Sequence, residues 1–103
     1  MKMDKILKQA QRMQAQMTLA QEELGTTVVE GTAGGGAVKA TANGHGDITA
    51  ISISKDVINP EEAEMLEDLV LGAVKDAIDK AKALSNDKMN ALTGGMGGFP
   101  GLM

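Results

Sequence analysis

Residues 26–54 read TTVVEGTAGGGAVKATANGHGDITAISIS, a stretch in which β-branched residues dominate and Gly recurs. Val38, Ala40 and Ala42 alternate with Lys39, Thr41 and Asn43, the two-residue period of a strand with one apolar face. Residues 48–53 make a second strand, more apolar on both faces, and Asn43-Gly-His-Gly-Asp47 between the two reads as a hairpin turn. Residues 26–31 supply a third strand, joined through a flexible TAGGG connection. The stretch therefore predicts a small antiparallel meander.

Helical segments flank it on both sides. Residues 1–24 contain no Gly or Pro and are rich in Gln, Lys, Met, Leu and Ala, all strong helix formers. Met3, Ala10, Met17 and Leu24 recur every seven residues, and Ile6, Met13 and Ala20 do the same. This is a seam of coiled-coil type, widened by Leu7 and closed by Gly25. After the sheet, Asn59 can cap a second helix, Pro60 fits its first position, and Glu62 stands where a capping box needs an acid. Ala63, Leu66, Val70, Ala73, Ala77, Ala81 and Leu84 form its buried stripe. Helix character fades after Asn86, and GGMGGFPGLM reads as a flexible Gly/Met-rich tail. The expected architecture is α+β, an α-β-β-β-α chain with one domain at 1–93 (helix 1–24, sheet 26–54, helix 60–90) and a tail at 94–103.

A chain of 103 residues buries only about 60–70% of its unfolded surface. Phe99 is the sole aromatic, and much of the 43% hydrophobic content is Ala and Met, so the core is thin. Sharing a core with a second copy, a homodimer, is the expected remedy. The absence of Cys excludes disulfides, thiolate metal sites and Cys nucleophiles. With no membrane-length apolar run and no signal-peptide pattern, the expectation is a soluble cytoplasmic protein that does not engage a membrane.

Three features could suggest an enzyme, and each has a simpler reading. Gly34-Gly-Gly36 lacks the phosphate-loop spacing and precedes a strand, so no helix N-terminus is aimed at an anion. His45 is the only histidine and sits in a Gly-flanked turn, without a second group for a relay or a metal set. Glu61, Glu62, Glu64, Glu67 and Asp68 lie mostly in the first turns of a helix, where acids complement the macrodipole. No nucleophile, base and oxyanion site assembles. The expectation is a non-enzymatic protein with no cofactor, no metal and no small-molecule substrate.

Charge is partitioned. Lys2, Lys5, Lys8 and Arg12 against Asp4 give the first 21 residues a charge of +3. Asp56, Glu61, Glu62, Glu64, Glu67 and Asp68 give residues 56–68 a charge of −6, within a total of −4. Screening confines each field to about 8–10 Å, so the first helix can be locally positive on an acidic protein. Lys5, Lys8 and Arg12 share its outer face, opposite the seam. Lys75, Lys80, Lys82 and Lys88 are weaker candidates, because Asp76 and Asp79 are placed to pair with two of them. With no Tyr or Trp, base stacking is nearly excluded, which leaves Lys/Arg contacts to duplex phosphates.

From GGGAVKATANGHGD through LEDLVLGAVKDAIDKA to the Gly-rich ending with PG, the chain closely resembles the YbaB/EbfC family of bacterial nucleoid-associated proteins. The Met/Gln-rich first helix extends the likeness over essentially the whole chain. The resemblance implies a homodimer with joined sheets and helices projecting like tweezers. It also implies binding to double-stranded DNA, location in the nucleoid, and a role in DNA conformation and gene expression. The family supplies no motif that assigns contacts residue by residue. Lys2, Lys5, Lys8 and Arg12 as DNA-binding residues rest on charge and heptad position alone. The alternative is a dimeric interaction adaptor that docks a protein partner through its Met-rich first helix.

Overall fold

The computed structural model of the protein describes residues 2–97. Helix α1 (Lys2–Thr26) leads into strands β1 (Val28–Ala33), β2 (Val38–Asn43) and β3 (Ile48–Ile53). Two single 3₁₀ turns, Lys55–Val57 and Pro60–Glu62, then open helix α2 (Ala63–Gly97). The sheet is antiparallel throughout, in the order β1-β2-β3. An α+β, α-β-β-β-α fold is the result.

Several boundaries differ from expectation for local reasons. Gly25 does not close α1; it stays helical, and the helix runs to Thr26. The Thr26 and Thr27 hydroxyls both donate to the Glu23 carbonyl, and the Gly44 N–H donates to that of Leu24 at 2.7 Å. These donors satisfy the last carbonyls without a left-handed glycine, and they delay β1 from residue 26 to Val28. Gly34, Gly35 and Gly36 form a defined turn with φ of +63°, +68° and +95°, three successive left-handed residues that only Gly adopts readily. Asn59 caps through its side-chain oxygen, which accepts from Glu61 N–H, but the first turn is 3₁₀ and regular α-helix begins at Ala63.

Helix α2 also outruns its expected end near residue 90. Gly94, Gly95 and Gly97 each disfavour helix by about 1 kcal/mol relative to Ala, yet the helix persists to Gly97. The turn before these glycines lies against α1, with Lys88 paired to Glu23 and Leu92 half-buried, and no proline interrupts before Pro100. The tail expected at 94–103 thus begins inside this helix, and residues 98–103 lie outside the described residues.

Val38, Ala40 and Ala42 of β2 are fully buried against Ala73 and Ala77 of α2. Small side chains on both layers let helix and sheet approach closely. At Gly31 on β1 the approach is closest, since a Cβ there would lie 2.2 Å from the Ala77 nitrogen. Helix α2 covers β1 and β2 and leaves β3 almost bare. The pairing Ala40↔Ile51 and Val38↔Ile53 puts these isoleucines on the α2 side of the sheet, yet Ile51 remains 41% exposed.

The seam of α1 meets the body only at Ala20 and Leu24. Met3, Ile6, Ala10 and Met17, expected to face inward with Met13, are exposed, and Met13 is half-buried. Among the described residues nothing covers Met3, Ile6, Ala10 or Met17.

Candidate nucleic-acid interface

The helical positions of Lys5, Lys8 and Arg12, three and four residues apart, bring them onto one side of α1. With Gln9 they line a shallow depression of about 250 Å³. All three are exposed, and they span about 10 Å along the axis at 1.5 Å per residue. Lys2 begins the same helix, but its side chain falls outside the described residues.

Among the described residues the ion pairs are Lys80–Asp76 and Lys88–Glu23. Lys5, Lys8 and Arg12 are therefore not engaged with a carboxylate there. The acids opening α2 sit at the other end of a molecule 72 Å long. Contacts fix this polarity: Leu69 packs on Gly34 at one end of the sheet, whereas Lys88 reaches Glu23 and Leu24 holds Gly44 at the other. From there α1 runs back antiparallel to α2 and beyond the sheet. Several Debye lengths separate the two charge clusters, so neither neutralises the other. The expected dipole is built into the fold.

Two of the second-helix cations, Lys80 and Lys88, have partners on other elements that the sequence did not show. Lys80 donates to the Glu30 carbonyl at 2.9 Å and pairs with Asp76 at 3.2 Å. Asp76 in turn accepts the Thr32 N–H at 3.0 Å. That backbone donor, followed by Lys80, holds the Asp76 carboxyl below its ordinary value. Together the two side chains occupy outward-facing polar groups of edge strand β1. The helical i, i+4 spacing announced the Asp76–Lys80 pair, but not its target on the sheet. Lys88, one of the weaker candidates, binds Glu23.

His45 sits in the Asn43–Asp47 turn, where its N–H donates to the Asn43 side-chain oxygen at 2.9 Å. Asp47 N–H donates to that same oxygen. Among the described residues no group of three or more His, Asp or Glu side chains is placed to hold a metal ion. Among the described residues no helix is long and apolar enough to cross a membrane.

The profile of the YbaB/EbfC DNA-binding family matches residues 1–96. A nucleoid-associated protein of Chloroflexus aurantiacus is 49% identical over 94 residues, covering 91% of this chain and 94% of that protein. One from Pelotomaculum thermopropionicum is 48% identical over 100 residues, covering 97% of this chain and 94% of its own. Another, from Ruminiclostridium cellulolyticum, is 44% identical over 100 residues, covering 97% and 87%. The crystal structure of an uncharacterized protein from Helicobacter pylori shares the fold with a TM-score of 0.73 at 20% identity, covering 89% of this chain and 98% of that one.

Proposed function

Because the chain belongs to the YbaB/EbfC DNA-binding family, we propose that it is a nucleoid-associated protein that binds duplex DNA as a homodimer. Lys5, Lys8 and Arg12, with Lys2 beside them, are the residues that meet the phosphates. The observation that carries this reading is their convergence on one exposed side of a projecting helix, remote from the acidic cluster. Such a surface offers charge without aromatic platforms or a base-reading motif, so binding is governed by phosphates, salt-sensitive and weakly selective. DNA conformation, and through it gene expression, is the natural target of such contacts.

Two features support the homodimer. Asp76 and Lys80 block the β1 edge, while β3 presents a bare edge and exposed Ile48 and Ile51. Next to the core, Leu66, Val70, Leu71 and Val74 of α2 line an apolar depression of about 510 Å³. Joining two sheets through β3 pairs the free edge and buries this surface.

The test is a salt titration of duplex binding by the wild type and by Lys5→Gln/Lys8→Gln/Arg12→Gln. Each phosphate neutralised contributes about 0.9 to the slope of log K on log salt. Losing three cations per arm therefore flattens the slope by about 3 for each arm engaged, for every duplex sequence alike. A folded variant with the wild-type slope refutes the assignment.

A further inference from the structure

We propose that the exposed seam of α1 is a pairing surface for the α1 helix of a second copy, in antiparallel orientation. From Met3 to Leu19 every residue but Met13 is exposed, and within this span Met3 is 72%, Ile6 61%, Leu7 57% and Met17 43% exposed. The heptad that buries Ala20 and Leu24 against the body continues through Met17, Met13, Ala10 and Ile6. The seam is thus continuous with an existing contact, and among the described residues it lacks its other half.

The residues beside the seam identify the occupant. Leu7 and Gln14 lie on one side of it, Gln9 and Gln16 on the other. In a coiled coil these flanking positions decide whether two helices repel. From Leu7 to Gln16 they are uncharged, so two copies can meet there without bringing like charges together. Lys5, Lys8 and Arg12 sit roughly 140° round the helix from the seam, at 3.6 residues per turn. A helix that docked on an acidic partner through its seam would carry cations beside the seam, not behind it.

Orientation follows from bulk and charge. Parallel pairing would bring two bodies together at one end and Lys2 against its own copy at the other. Antiparallel pairing separates the bodies and stacks Ile6 on Met17 and Ala10 on Met13 of the second copy. A seam of four or five side chains covers well under the roughly 800 Å² per partner of a stable interface. The contact is therefore weak and concentration-dependent.

Within the sheet-joined dimer proposed above, on which this consequence rests, the two α1 helices stand at opposite ends of the joined sheet. Their roots are at the Gly44 turn, and antiparallel β3 strands place those turns a strand length apart. The seams of one dimer cannot meet each other. Each reaches for another dimer, and two different self-complementary contacts give an open chain. Its outward side is lined by repeated cationic stripes.

The test is sedimentation velocity over a concentration series, without DNA, on wild type, Ile6→Gln/Met13→Gln and Ile51→Lys. Wild type is expected to pass beyond the dimer. The seam variant stops at the dimer, with at least a tenfold weaker onward association, because about two apolar side chains are lost from each helix. Ile51→Lys removes the dimer step and leaves a two-protomer species that the seam substitutions abolish. Wild type that never exceeds a dimer, or a seam variant that assembles unchanged, overturns the pairing. Failure of Ile51→Lys alone overturns the sheet joint and spares the seam.

The chain has no Cys, so engineered cysteines give a second readout of orientation. Oxidising a mixture of Ala10→Cys and Met13→Cys proteins is expected to cross-link unlike chains faster than either variant alone. Fastest coupling of Ala10→Cys with itself overturns the antiparallel arrangement.

Discussion

Gly31→Ala adds one methyl group at the tightest point of the fold. The new Cβ would sit 2.2 Å from the Ala77 nitrogen, 2.3 Å from the Ala73 oxygen and 2.8 Å from the Ala77 Cα. Ordinary contact begins near 3.4 Å, so α2 must retreat from β1 by more than about 1 Å, a gap that forfeits a quarter to a half of each dispersion well. The retreat opens the layer formed by Val38, Ala40, Ala42, Ala73 and Ala77, every one fully buried. Overpacking in cores costs about 1–3 kcal/mol, and this case belongs at or above the upper end because backbone rather than side chain obstructs. At roughly 4–8 °C per kcal/mol for a domain of this size, the melting temperature falls by roughly 12–24 °C. Circular dichroism melts at fixed protein concentration measure it. Gly35→Ala is the control: it meets nothing within 4 Å but has φ +68°, and it costs only about 1–2 kcal/mol. Ala77→Gly cannot rescue Gly31→Ala, because the blocking atoms are not its methyl. A loss below about 5 °C, or rescue by Ala77→Gly, refutes the packing argument.

Other outcomes follow from the side-chain contacts. Asp76 titrates below 3.8 in the folded protein, chiefly through the Thr32 N–H and then Lys80. Its contribution to stability is thus complete above that value and is lost as pH falls through the lowered one. Asp76→Ala should therefore be less stable than wild type at neutral pH, with faster Thr32 amide exchange, and the stability gap should close on acidification below 3.8. Lys88→Met removes the pair with Glu23, whose side chains are 29% and 49% exposed. Such a pair is worth about 0–1 kcal/mol, so thermal melts should shift by only a few degrees, and less in high salt.

The sheet was legible because period-two alternation at 38–43 and the Asn/Gly/Asp turn are local signals that the structure satisfies locally. The buried alanines of α2 were legible for the same reason, through their three- and four-residue spacing. Boundaries failed where a distant group decided them. Gly25 was passed over because Thr26, Thr27 and Gly44 supply donors to the last carbonyls, and α2 runs past its expected end where Lys88 reaches Glu23 on α1. Pairing at Lys88 was invisible because its partner Glu23 stands 65 positions away. For the candidate interface, sequence placed Lys5, Lys8 and Arg12 on one helix face. The distance between that face and the acids opening α2 depends on the antiparallel return of the helices, which no local pattern encodes. The heptad seam was legible, but the exposure of Met3, Ile6, Ala10 and Met17 depends on how far α1 outruns the body, which no local pattern encodes.

The free-standing part of α1 has a thermodynamic consequence. Helices shorter than about 12–15 residues are marginal in water without packing, and residues 3–12 are all exposed and project with little tertiary support. This half of the helix is governed by a helix–coil equilibrium set by its own propensities. Any ligand that needs the helical form must draw from that population, so its apparent affinity includes the ordering of the arm. Warming weakens binding well below the temperature at which the sheet melts. Substitutions such as Gln11→Ala, which raise helicity without touching the ligand, strengthen it.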